Sequence, residues 1–268
     1  MIDLLQYSFF TNALIGVIII SVAAAFIGTY IVTRRLVSIS GGITHACFGG
    51  LGLGYFLGVS RILMASVFAI GASAGVEWLS ERYRVREDSA TAVVWALGMA
   101  IGVLFIFLTP GYVPELNAFL FGNILTISHS DLWAFAIYTI ILALFFVIFY
   151  DKIIACAFDR DFARVSQLPV RVISYIMTAM VAVCIVLTIK LVGIMLLMSM
   201  LTLPQMIAEM FAPRFKTMVI FSMIISIVCG VAGLFISAII NVPCAAVIVV
   251  LFSLSFIAGR IVVAFRKK

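Results

Sequence analysis

The chain is predicted to be all-α, a polytopic transmembrane helical bundle, and three observations carry that prediction. Only 10% of its residues are charged and 65% are hydrophobic, against roughly 45–50% apolar residues in a soluble domain. The charges gather in short clusters between uncharged apolar stretches of about 18 to 26 residues, and a helix needs roughly 20 such residues to cross the hydrocarbon core. Those stretches lack the period-two alternation of barrel strands, and in lipid only helices and closed barrels satisfy every backbone group. With a mean hydropathy of +1.31, no polar stretch is long enough to fold separately, so residues 1–268 are expected to form a single membrane domain.

Eight to nine spans are expected. The first, residues 12–33, follows the uncharged opening MIDLLQYSFFTN and stops at Arg34 and Arg35. The second and third, 43–60 and 62–79, lie on either side of Arg61, and the cluster Arg82, Arg84 and Arg86 ends the pair. The fourth, 89–108, opens at Asp88 and Ser89, side chains that cap free N–H groups and suit the helix dipole. The stretch TPGYVPELNAFLFGNILTISHSD, 109–131, is rich in Pro, Gly and Asn; its apolar piece is too short to cross and is expected to dip in from the outer face. A fifth span at 131–150 precedes a charged connection, 151–171, and Lys190 separates 172–189 from 191–210. From Thr217 to Gly259 the chain is uncharged, too long for one crossing, and Asn241-Val242-Pro243 divides it into 217–238 and 243–263.

Counting basic residues orients the chain. An outside N-terminus and inside C-terminus place Arg34, Arg35, Arg82, Arg84, Arg86, Lys152, Arg160, Arg164, Arg171, Arg214, Lys216, Arg260, Arg266, Lys267 and Lys268 inside, all of the 17 Lys and Arg except Arg61 and Lys190. The net charge of +6 therefore reports membrane orientation and no affinity for nucleic acid. The five cysteines form no CxxC pair and no disulfide framework. The first dozen residues lack the basic flank of a cleaved signal peptide.

Within GGITHACFGGLGLGYFLG, Gly42, Ala46, Gly50, Gly54 and Gly58 recur every four residues, which aligns small side chains for close helix packing. Gly41, His45 and Gly49 form the adjacent row, so the imidazole is expected beside that seam, as a pathway group or as a hydrogen-bonded structural histidine. Energy must come from elsewhere: the chain has no GxxxxGK[ST] phosphate loop, no relay of buried Asp, Glu and Arg of the kind proton-coupled carriers use is expected, and no catalytic constellation can be assembled. The protein is expected to be no enzyme and to hold no permanent cofactor. Its longest inner connection, DKIIACAFDRDFARVSQLPVR, has mixed charges around Phe158, Phe162 and Ala163 and a stop at Leu168-Pro169, the pattern of a short amphipathic helix lying on the cytosolic face.

Six segments recur together in order: RRLVSISGGITHACFGG, REDSATAVVWA, NAFLFGNIL, FDRDFARVSQLPVR, VGIMLLMSMLTLPQMIA and NVPCAAVIVV. With them the chain resembles, over nearly its whole length, the permease subunits of ATP-binding-cassette importers for zinc, manganese or iron, and more distantly the permeases for cobalamin and iron-siderophores. The resemblance implies a permease homodimer in the bacterial cytoplasmic membrane, with an ATP-binding subunit below and an extracytoplasmic substrate-binding protein above. It implies that the segment around Asp159, Phe162, Ala163, Arg164, Leu168 and Pro169 is the coupling helix, Phe162 and Ala163 entering the ATPase groove. It also places His45 on the histidine of the family pattern GDxxxHA, with Gly41 where the aspartate stands, and Gln167 where a glycine is usual. Arg61 and Lys190 are then expected to meet the binding protein or to anchor at the interface.

Imidazole suits zinc, iron, nickel and copper, whereas manganese takes more oxygen ligands, so two symmetry-related His45 side chains would form a weak, open site for the transported divalent ion. Met195, Met198, Met200, Met206 and Met210 are expected to be packing residues more than Cu(I) ligands. Two other functions fit the same architecture: import of a larger chelate, and a membrane scaffold or sensor without transport.

Overall fold

The structure is a computed structural model and describes residues 6–110, 122, 124, 127–212 and 214–266. Among the described residues it has helices and no strand, in the order α1 (Ser8–Thr33), α2 (Val37–Leu57), α3 (Arg61–Tyr83), α4 (Glu87–Leu108), α5 (His129–Ile148), α6 (Tyr150–Phe158), α7 (Arg160–Val165), α8 (Val170–Phe211), α9 (Phe215–Ile240) and α10 (Cys244–Arg266). Seven of them, α1, α3, α4, α5, α8, α9 and α10, are long and apolar enough to cross a membrane. The protein is a polytopic helical membrane protein. Most of the expected dipping segment falls on residues outside the described set.

Helix ends coincide with residues that tolerate or cause a break. Gly58 closes α2 at φ 67°, its N–H donating to the Tyr55 carbonyl at 3.2 Å. Ser60 then accepts from Leu63 N–H at the start of α3. Asn241 ends α9 at φ 54°, and the Ser237 hydroxyl donates to the Val242 carbonyl at 2.7 Å before α10 begins at Cys244. The expected caps at Asp88 and Ser89 are not what opens α4: its capping residue is Arg86, which makes no side-chain cap, and Asp88 instead accepts from the Ser38 hydroxyl.

Two compact units divide the chain. The first comprises Met1–Val32, Asn117–Ile148 and Leu191–Lys268, with α1, α5, the end of α8, α9 and α10. In it a methyl on Gly28 of α1 would lie 2.5 Å from the Leu201 carbonyl oxygen of α8, so the two backbones meet directly. Pro204 cannot donate to the Met200 carbonyl; the Gln205 amide does so instead, at 3.1 Å, and also donates to the Ala24 carbonyl of α1 at 2.8 Å. Ser226 of α9 donates to Ser21 of α1 at 3.0 Å, and the Asn12 amide donates to the Ile127 carbonyl at 3.1 Å. At Gly193 (φ 79°, ψ 173°) the 42-residue α8 is broken, and Gly122 (φ 61°) packs on that break: a methyl there would lie 2.2 Å from the Val192 carbonyl carbon.

The second unit comprises Thr33–Leu116 and Phe149–Lys190, with α2, α3, α4, α6, α7 and the first part of α8. Its core is the glycine-rich α2, buried along nearly its whole length between α3 and α4. α4 buries only Ala90, Thr91, Gly98 and Gly102 and exposes apolar side chains elsewhere, including Trp95, Leu97, Leu104 and Phe107.

Candidate functional site

The seam that surrounds the candidate histidine is built from small residues on two sides. A methyl on Gly42 would meet the Thr91 Cγ2 of α4, one on Gly49 the Gly98 carbonyl at 2.8 Å, and one on Gly98 the Cα of Ala46 at 2.4 Å. Gly50 and Gly54 turn the other way, toward α3: the positions of their methyls lie 2.3 Å from the Met64 carbonyl and 3.1 Å from the Arg61 Cα. Gly58, the last of the five expected seam residues, has nothing within 4 Å and serves as the helix stop. The expected single face is therefore corrected to a spiral. Each four-residue step turns roughly 40° past a full turn at 3.6 residues per turn, so the row winds about 160° from Gly42 to Gly58 and serves α4 first, then α3.

His45 lies flat on Trp95 of α4, ring centroids 4.6 Å apart and planes 3° from parallel. It is partly exposed and not sealed within the unit. Gly41, one turn earlier, is buried. Among the described residues no group of three or more His, Cys, Asp or Glu is placed to hold one metal ion.

The inner connection folds as two short helices, not one. Asp159 joins them: its carboxylate accepts from Asp161 N–H at 3.0 Å and Phe162 N–H at 2.9 Å, capping α7. Phe162 is 62% exposed, whereas Ala163 is 0% exposed. Ala163 is thus covered by this chain itself, which corrects the expectation that both residues are free for a partner's groove. Arg164 is exposed and makes a long 3.4 Å pair with Asp161; Leu168 is half-buried and Pro169 exposed. Gln167 adopts φ 57°, a left-handed conformation natural to glycine, and this is the position where a glycine is usual in the resembling permeases.

The expectation of no buried network of Glu and Arg is corrected: a largely buried ionic cluster of two arginines and two glutamates holds α7 in place. Arg160, the first residue of α7, reaches Glu87 of α4 at 2.5 Å, Glu77 of α3 at 2.8 Å and the Ser174 hydroxyl of α8. Ser174 donates to Glu77 at 2.6 Å. Arg34, between α1 and α2, donates to Glu87 at 2.9 and 3.2 Å and to Ser174 at 3.4 Å. Glu77 is 2% exposed. Burial pushes the Cys156 thiol of α6 up, and the same two arginines oppose that shift, which places α6 beside the cluster. The partners are 53, 73 and 97 residues apart in the chain, so no local pattern announces them.

Arg61 stands at the start of α3, donating to the Tyr55 hydroxyl at 3.1 Å and lying over its ring at 5.2 Å. Lys190 is exposed. Arg82 lies in the last turn of α3, Arg84 and Arg86 follow it, and Arg214 precedes α9.

The sequence profile of the ABC 3 transport family matches residues 6–263. The chain is 34% identical over 268 residues to an uncharacterized membrane protein of Synechocystis sp., covering 100% of this chain and 94% of that one. It is 35% identical to a probable metal transport system membrane protein of Chlamydia pneumoniae, covering 89% of this chain and 84% of the relative. It is 28% identical to the manganese transport system membrane protein MntC of Halalkalibacterium halodurans, over 95% and 88% of the two chains. Among solved structures it is similar to PsaBC from Streptococcus pneumoniae in complex with a Fab, with a TM-score of 0.84, 27% identity, and 96% and 93% of the two chains covered. With a match that runs nearly from end to end, this chain belongs to the ABC 3 transport family.

Proposed function

We propose that the chain is the membrane-spanning permease subunit of an ATP-binding-cassette importer that brings a divalent metal ion, zinc, manganese or iron, into the cytoplasm across a bacterial inner membrane. The observation that carries this reading is the end-to-end likeness, in sequence and in fold, to membrane proteins of metal transport systems. The chain supplies the path; a separate ATPase supplies the energy, and an extracytoplasmic binding protein delivers the ion.

Nine crossings fit this reading. Seven helices qualify by length and composition, the 21-residue α2 is long enough for an eighth, and the 42-residue α8, about 63 Å of helix if straight, is twice the hydrocarbon thickness and supplies two. An odd number puts the N-terminus outside and keeps the basic clusters inside. Two copies of the chain would bring two partly exposed His45 rings to one pathway, where imidazole nitrogen binds the ion and water completes its shell. The α7 segment offers Phe162 to the ATPase, and Arg61 with Lys190 contributes to encounter with an acidic face of the binding protein.

Reconstitution of the permease with its ATPase and binding protein in vesicles, followed by uptake of radioactive zinc, manganese and iron, tests this directly. ATP-dependent accumulation of one of these ions is expected. Accumulation only of an iron chelate or a corrinoid, or none of any solute, would overturn it.

A further inference from the structure

A six-residue helix has no stability of its own, because nucleation is unfavourable and only one or two backbone bonds follow it. α7 must therefore be held by side chains. Two of the ion pairs near it do little: Arg164–Asp161 has side chains 59% and 92% exposed, and Arg171–Glu81 has an arginine 74% exposed. Ala163 seats one side of the helix, and Asp159 caps it. A further attachment, one that reaches other helices, is Arg160.

Its guanidinium fork reaches three different helices at once, α3 through Glu77, α4 through Glu87 and α8 through Ser174. Two arginines face two glutamates, so the cluster is balanced in charge, as a buried set must be. Ser174 is fully used: its one proton goes to Glu77, and its oxygen accepts from Arg160 and Arg34. Glu87 is shared by both arginines, and Arg34 stands three residues before α2. The chain of contacts thus begins on α7 and ends on α4 and on the turn that leads into α2, and these two helices carry the stacked pair His45 and Trp95. Only arginine has the planar fork for this; a lysine at 160 would keep the charge and reach fewer partners.

We infer that Arg160, with Glu77, Glu87, Arg34 and Ser174, is the fastening through which displacement of α7 by the ATPase is transmitted to the helices that bear His45. These are positioning residues, and the inference rests on the permease reading above. Without the fastening, ATP is still hydrolysed and α7 still moves, but α2 and α4 no longer follow.

The test is the number of metal ions imported per ATP hydrolysed in vesicles holding the whole complex, measured beside the melting temperature and subunit stoichiometry of each preparation. Wild-type vesicles without ATP-driven uptake would refute the permease reading itself. Given wild-type uptake, Arg160→Gln and Glu77→Gln are expected to lower ions per ATP roughly two- to thirtyfold, the range by which mutations within coupled networks shift coupling, with hydrolysis kept near the wild-type rate. Arg160→Lys should fall between, and it carries the test if Arg160→Gln does not assemble. Unchanged ions per ATP, or uptake and hydrolysis falling together in step with lost folded complex, would overturn the inference and leave the cluster a purely structural one.

Discussion

The imidazole of His45 rests on the Trp95 face, 4.6 Å between centroids, so removing it forfeits a stacking contact of about 0.5–1.5 kcal/mol. His45→Ala is accordingly expected to express, assemble with the ATPase and melt within a few degrees of wild type, while the proposed ligand role predicts that radiometal uptake falls about tenfold or more, no less than removal of a ligand's outer partner costs. Loss of assembly in proportion to loss of uptake would make the histidine structural. Gly41→Asp sets a carboxylate one turn before the ring and is expected to shift competition between ions toward manganese. Gln167 sits at φ 57°, where a side chain costs roughly 1–2 kcal/mol; Gln167→Gly should raise the thermal midpoint of the purified protein, and no change would mean the strain is relieved elsewhere. At this scale the sequence singles out a residue type that is unusual for a membrane span, as His45 is, and the fold places it on Trp95 beside the small-residue seam. It was silent where function depends on distant partners: the sequence points to Asp88 and Ser89 as the dipole-matched helix start and gives no sign of the neighbouring Glu87, to which only the fold brings Arg34 and Arg160.

Elements were more legible than sites, because hydrophobic length and charge clusters are local properties. The expected spans 217–238 and 243–263 correspond to α9 and α10, divided at the Asn241 to Pro243 turn as read. The inner connection was expected as one amphipathic helix; Asp159 splits it, since its side chain caps α7 while its extended backbone ends α6. That split leaves Phe162 outward and Ala163 inward. Phe162→Asp is expected to abolish co-purification of the ATPase while leaving the permease folded, because a charge would enter an apolar contact; unimpaired co-purification and uptake would remove Phe162 from the interface. The glycine row was legible as a packing device, but its spiral was not, since a four-residue repeat in the sequence does not display the drift against the helical turn. Gly50→Val should therefore separate α2 from α3 and lower stability by several kcal/mol, whereas Gly58→Asn, at the helix stop, should be nearly neutral; thermal melts of the two variants check the contrast.

At the scale of the whole molecule, orientation rests on the alternation of basic clusters. Cysteines placed singly at Tyr7 and Arg266 in a cysteine-free background should react with an impermeant reagent from the outside and from the inside, respectively; labelling of both from one side would mean an even number of crossings. The division of α8 bears on the same count. Its break at Gly193 combines φ 79° with ψ 173°, a region that glycine alone enters freely, and the surface of that break is occupied by the backbone of Gly122, itself at φ 61°. A side chain on Gly122 would collide with the backbone of Val192 and Gly193, and one on Gly193 would have to enter a backbone region closed to other residues. Alanine at either position is thus expected to undo the same local arrangement, so that the second substitution adds little harm to the first. Two positions 71 residues apart (193 − 122) then behave as one inherited character, kept together or lost together.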